Sequence, residues 1–340
     1  MKERYKNLDG LKTYAAIGII LFHVEEHGQF GISGSAYYSF LYKLSNITLL
    51  FMILSAFSMC CGYYDGFKSG TMDLNSFYKR RFQRIWPFFA TLCTLEMIVD
   101  HKLSSLYEWF ADLTLTFGLL PNHRINVVSS GWFIGLVFVF YMLFPFFVFL
   151  MSNKARAWAV MGISVVMNIL CQLYFFDSNH MISGFFARNN FVYSSVFFVI
   201  GGLIYLYRNE LKRIVKKNKL ATIIIALIVL PVSYVFASND LAFVTVYALL
   251  TILGISVDGV VSRKLLQNKI VQIAGPVSME IYLCHMFVFR ALEKIGFIHL
   301  TENGVVNYII VVAATTVGSV ITSIVLKKII GFITKKIRRA

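Results

Sequence analysis

Ten stretches of about 20 mostly apolar residues recur along this chain, near 8–27, 44–64, 78–99, 131–152, 155–175, 191–208, 220–238, 240–257, 270–290 and 305–327. A helix rises about 1.5 Å per residue, so about 20 apolar residues match a hydrocarbon core about 30 Å thick. Composition agrees: 58% of the 340 residues are hydrophobic and 14% charged, against roughly 45–50% and about 25% in soluble domains. So much apolar surface has no place in a soluble globule of this size. Disordered, collagen-like and disulfide-rich classes are excluded with it. The expected fold is all-α: a polytopic integral membrane protein of about ten transmembrane helices. It is expected to form one membrane domain over residues 1–340, without an appended soluble domain. Residues 107–120 are apolar but short; they are expected as an interfacial or re-entrant helix, with an extra span as the alternative. The first span lacks a small-residue cleavage site and is expected to stay in the protein.

The net charge is +15. We read it as membrane anchoring, with no nucleic-acid partner expected. With the N-terminus placed in the cytoplasm, 26 of the 32 basic residues fall in inner segments. The outer segments keep only Lys43, Lys102, Arg124, Arg188, Arg290 and Lys294. This positive-inside asymmetry predicts both termini in the cytoplasm and an even number of spans, because an error of one span would swap every later loop. The five cysteines (Cys60, Cys61, Cys93, Cys171 and Cys284) sit in apolar stretches without ligand spacing, and read as packing residues.

Ionisable residues inside spans are costly, which makes them functional candidates. His23 lies eleven residues after Lys12, about 16 Å along a helix. It reads either as a general base working near neutral pH or as a polar packing residue. The run His23-Val24-Glu25-Glu26-His27 formally fits H-x-x-E-H, a zinc-protease pattern. No third ligand is identifiable in the sequence, and no metal is expected. Glu25 or Glu26 instead orients or charges a histidine, or faces water. Arg81 and Arg84 are spaced i, i+3 and share a helix face. They suit phosphate recognition or ordinary positive-inside anchoring, and Lys79 and Arg80 fit anchoring better. Glu280 and His285 in the ninth span line a pore or a substrate site, or join helices by hydrogen bonds. Glu96 in the third span is open in the same way.

Taken in order, these segments resemble the acyltransferase-3 family of membrane proteins. The matching residues are Leu8-Asp9-Gly10-Leu11-Lys12 with His23, Leu54-Ser55-Ala56-Phe57, Arg81-x-x-Arg84 with Pro87, Trp132-Phe133-Ile134 with Tyr141 and Pro145, and Ser278 through Tyr282-Leu283 to His285. The resemblance implies about ten membrane helices in a bacterial cytoplasmic membrane. It implies transfer of an acyl group, often acetyl, from cytoplasmic acyl-CoA to a hydroxyl of an extracytoplasmic or lipid-linked sugar or glycan. His23 aligns with the family's essential histidine, and Arg81 and Arg84 with its donor-binding pair. The chain departs from the family pattern in three places. Lys12 replaces an arginine, keeping charge but not the planar fork. Ala56 replaces the glycine of Ser-Gly-Phe. Val137 stands where many members carry a glutamate.

The expected mechanism uses His23 as general base, tuned by Glu25 or Glu26. Acyl-CoA phosphates meet Arg81, Arg84 and Lys12, while Trp132, Tyr141, Glu280 and His285 complete substrate and donor binding. Acyl-CoA is a co-substrate, and no bound cofactor is expected. Two other readings stand beside it: a transporter or exporter of a small acyl compound or glycan intermediate, using Glu96, Glu280 and His285, and a non-catalytic partner in envelope assembly.

Overall fold

The computed structural model describes residues 5–35, 37–100, 104–119, 127–177, 179–181 and 185–337. Lys2, Arg4, Lys102, Arg124, Arg338 and Arg339 of the charge argument lie outside them. Among the described residues the chain is helical, with no strands. The main elements are α1 Lys6–Gly28, α2 Tyr37–Lys68, α3 Leu74–Asp100, α4 Ser104–Leu113, α5 Trp132–Leu150 and α6 Lys154–Phe175. They continue with α7 Phe191–Leu206, α8 Arg208–Lys217, α9 Lys219–Phe236, α10 Asp240–Ser256, α11 Lys269–Lys294 and α12 Gly304–Ile337.

Each of the ten apolar segments falls on one of these helices. Six helices, α2, α5, α6, α9, α11 and α12, are long and apolar enough to cross a membrane. The other four segments show why a simple count differs. Polar and charged residues dilute α1 and α3, and α7 and α10 have only 16 and 17 residues. α7 reaches spanning length only together with α8, to which it is bent by 69°. The structure thus supports a multi-pass membrane protein through six such helices, or seven with the bent pair. Residues 104–113 form a helix of ten residues, about 15 Å long. That is half a hydrocarbon core, so this helix does not add a span.

The helices form two shells. α2, α5 and α11 are mostly buried, whereas α6, α9 and α12 present apolar residues outward along most of their length. α1 sits inside, packed on α2, α10, α11 and α12. Lipid is as apolar as a leucine side chain, so helix association rests on close packing and small residues. Gly201 of α7 shows this: a Cβ there would lie 2.3 Å from the Ile53 carbonyl oxygen and 2.7 Å from the Ala56 Cβ of α2. Ala56 is therefore accommodated because the residue opposite it has no side chain. Gly10 has a comparable task. Its Cβ would meet the Leu266 carbonyl oxygen at 2.6 Å, so the Asp9-Gly10 step lets the Val260–Leu266 helix cross α1. All five cysteines are free thiols, and four of them are buried.

Charged groups define one end of the bundle. Lys12 Nζ donates to Ser58 Oγ (3.2 Å), Arg81 Nη2 to Tyr63 Oη (2.6 Å), and Lys327 Nζ to the Pro276 carbonyl (3.0 Å). The starts of α1 and α3, the end of α2 and the start of the helical run Ser278–Lys294 are thus gathered there with Lys327 of α12. Asparagine caps fix where three of the other helices begin. Asn153, Asn190 and Asn239 accept from the backbone N–H groups of Arg156, Tyr193 and Ala242 and start α6, α7 and α10.

Candidate active site

His23 lies on the last turns of α1, and Gln29 ends that helix in the left-handed conformation (φ 49°). The ring Nδ1 is 2.9 Å from Glu26 Oε2. A carboxylate accepts, so Nδ1 carries the proton and Nε2 keeps its lone pair, the form required of a base. Glu25 does something else. Its Oε1 accepts from the Ile32 N–H at 3.0 Å and its side chain is buried, so it ties down the turn after α1. Of the two carboxylates expected as partners for His23, the geometry gives the task to Glu26 and a structural one to Glu25. The spacing explains the split, since i, i+3 residues share a helix face and i, i+2 residues do not.

His285 packs against this pair, with ring centroids 5.3 Å from His23. It is fully buried, and its Nδ1 donates to the Tyr282 carbonyl at 2.6 Å. That bond places the lone pair on Nε2, which has no hydrogen-bond partner. The two histidines come from helices about 260 residues apart in sequence, through the α1–α11 contact.

Five residues before His285, about 7.5 Å down the helix, Glu280 marks the basic end. Its Oε1 accepts from Arg84 Nη1 at 2.6 Å and lies 2.9 Å from Lys327 Nζ. Arg84, Glu280 and Lys327 line a cavity of about 620 Å³. Arg81 turns elsewhere, lying over the rings of Tyr63 (4.8 Å) and Tyr141 (5.7 Å). The two arginines share a helix face as expected, but their guanidinium groups diverge to different neighbours.

A second cavity, of about 780 Å³, opens from the other end and reaches His23, Glu26, Trp132 and Tyr282. Its wall is held by a network that sequence reasoning did not single out. Arg188 grips Asp240 with two bonds (Nε–Oδ2 2.9 Å, Nη2–Oδ1 2.6 Å) and also donates to Asn46 Oδ1. Tyr193 Oη donates to the same carboxylate at 2.8 Å. Lys43 donates to the carbonyls of Tyr234, Val235 and Ala237. The signal in the sequence is thin: Arg188 and Lys43 are two of only six basic residues outside the inner segments. Lys327 likewise reads as an anchor there. Glu96 is resolved toward pairing, bonded to Arg290. Val137 is buried in the apolar core.

The site residues therefore fall into two groups, one at the basic end of the bundle and one reached from the other end, with α11 contributing to both. Lys12, Arg81, Arg84 and Glu280 lie at the basic end. His23, Glu26, Trp132 and His285 lie in or beside the second cavity, and Tyr141 packs near Arg81. A family model described as an acyltransferase domain, of the acyltransferase-3 family, matches residues 5–326. No curated protein and no solved structure matches the chain. With nearly its whole length covered, the chain belongs to the acyltransferase-3 family of acyltransferase domains.

Proposed function

We propose that this protein moves an acyl group, acetyl being the simplest case, from acyl-CoA to a hydroxyl of an extracytoplasmic or lipid-linked sugar or glycan in a bacterial cytoplasmic membrane. One observation supports the reading: two cavities, opening from opposite ends of the bundle, each reach the same turn of α11, on different faces of that helix. Glu280 lines the first and Tyr282 the second, two residues and about 3 Å of rise apart. A donor with a charged head and an extended arm fits this layout, its phosphates at the basic end among Arg84, Lys327 and Arg81 and its thioester near α11. The acceptor hydroxyl enters from the second cavity, whose Trp132, Tyr42 and asparagines offer stacking and hydrogen bonds to a carbohydrate.

In this scheme His23 Nε2 takes the hydroxyl proton as the oxygen attacks the thioester carbonyl. Glu26 then stabilises the imidazolium that forms, the division of labour known from carboxylate–histidine pairs in acyl transfer. The thiolate of CoA leaves with the proton returned by His23. The glutamates on which a transport reading would depend are held in ion pairs, Glu96 with Arg290 and Glu280 with Arg84 and Lys327.

The test is CoA release by purified protein in nanodiscs, with acetyl-CoA and a panel of glycan acceptors, beside His23→Ala. Thiol release that is lost in the variant at unchanged thermal stability supports the scheme. Retained turnover in His23→Ala removes the base assignment.

A further inference from the structure

The run His23 to His27 carries a second chemistry. His23, Glu26 and His27 are spaced i, i+3, i+4 and share one face of α1. One ligand atom from each lies within 4.8 Å of the others. Glu26 Oε2 sits 2.9 Å from His23 Nδ1 and 3.9 Å from His27 Nε2. Tetrahedral zinc with bonds of about 2.0–2.2 Å holds neighbouring ligand atoms about 3.3–3.5 Å apart. The observed separations straddle that value, so small side-chain rotations bring all three onto one ion. All three side chains are partly exposed, at 27%, 46% and 48%, which leaves a path for an ion from the second cavity. His285 stands beside this face of α1 without joining the group. His285 packs on His23 with its Nδ1 committed to a backbone carbonyl and its buried Nε2 unpartnered. That is the neutral tautomer, fixed by a backbone acceptor, in which histidines bind metals.

We propose that His23, Glu26 and His27 form a site for a zinc-class divalent ion, and that filling it switches off His23 as a base. The chemistry balances without redox change. The ion bonds to Nδ1 of His23, the imidazole proton moves from Nδ1 to Nε2, and the Glu26 carboxylate exchanges its hydrogen bond for a metal–oxygen bond. His23 stays neutral, but Nε2 now carries hydrogen and has no lone pair to accept the acceptor's proton. Binding depends only on the three side chains. Its effect on turnover rests on the reading of His23 as the base.

The two parts are measured separately. Full-length protein with a tag that contains no histidine, freed of chelators, is titrated with Zn2+ by calorimetry. One ion per chain is expected at micromolar concentration. His27→Ala should weaken binding at least about tenfold, the scale of lost metal-site contacts. His27→Gln serves as a second variant if the alanine protein is poorly folded by thermal unfolding. In the thiol-release assay Zn2+ should inhibit the parent protein. The His27 variant should turn over normally without metal and resist Zn2+ by about the same factor. Absent binding, or equal affinity in parent and variant, overturns the site. Binding lost with His27 but without inhibition of transfer overturns the switch. If no acceptor supports transfer at all, calorimetry still decides the site, and the failure belongs to the transferase reading.

Discussion

Replacing Glu26 by glutamine tests the role proposed for this carboxylate beside His23. The amide side chain keeps a carbonyl oxygen that accepts from His23 Nδ1, so ring orientation and tautomer are preserved and only the charge is lost. In the proposed scheme the charge matters when His23 becomes an imidazolium. Across 2.9 Å, an effective dielectric constant of about 40–80 gives an attraction of about 1.4–3 kcal/mol. The high dielectric suits a pair exposed at 27% and 46%. Converted at about 1.4 kcal/mol per decade, kcat should fall about 10- to 100-fold. KM for acyl-CoA should stay within about twofold, since an interaction made only in the transition state moves kcat without KM. Glu25→Gln is the contrast. It weakens the bond to Ile32 N–H and should lower thermal stability with kcat nearly unchanged. The assay is steady-state thiol release over a range of acyl-CoA concentrations. Glu26→Gln within about twofold of the parent, or an equal loss of kcat in Glu25→Gln, would refute the assignment of Glu26.

Three further outcomes follow from the same geometry. Glu280→Ala leaves Arg84 and Lys327 facing each other without their shared carboxylate. These cations are 39% and 42% exposed, so water offsets part of the loss, and about 1–3 kcal/mol of stability should go, below the value for a fully buried pair. Thermal unfolding in detergent measures it, and an unchanged midpoint would mean the pair is not held as described. Gly201→Ala puts a methyl 2.3 Å from the Ile53 carbonyl and should cost about 1–3 kcal/mol by overpacking. Adding Ala56→Gly should restore only part of this, because the carbonyl clash remains; full rescue would show that Ala56 alone limits the approach. Arg188→Ala releases Asp240 and Asn46 in the wall of the second cavity. It should raise KM for the acceptor while leaving KM for acyl-CoA unchanged, and the reverse pattern would place the acceptor elsewhere.

Much of the candidate site is legible in spacing along one helix. His23 and Glu26 are three residues apart, so their pairing is implicit in the sequence, although Glu25 reads as an equal candidate until the side chains are placed. The positions of Arg81 and Arg84 on one face are legible for the same reason. Their separate partners are not, because long flexible side chains on neighbouring turns follow whatever packs beside them. Glu96 shows the other limit: its carboxylate could serve a pathway or a pair, and Arg290 from a distant helix decides for the pair.

The sequence by itself determined the solvent and the class of fold. Apolar runs of spanning length admit little besides membrane helices, and the order of short motifs already pointed to the acyltransferase-3 family. Only the tertiary structure decided which helices are neighbours. It set His285 against His23, placed Glu280 between Arg84 and Lys327, and closed the second cavity with Arg188 and Asp240. The physical reason is that helical periodicity fixes neighbours within three or four residues. Contacts between helices depend on packing, where a missing Cβ at Gly201 or Gly10 admits one arrangement and a methyl group would forbid it.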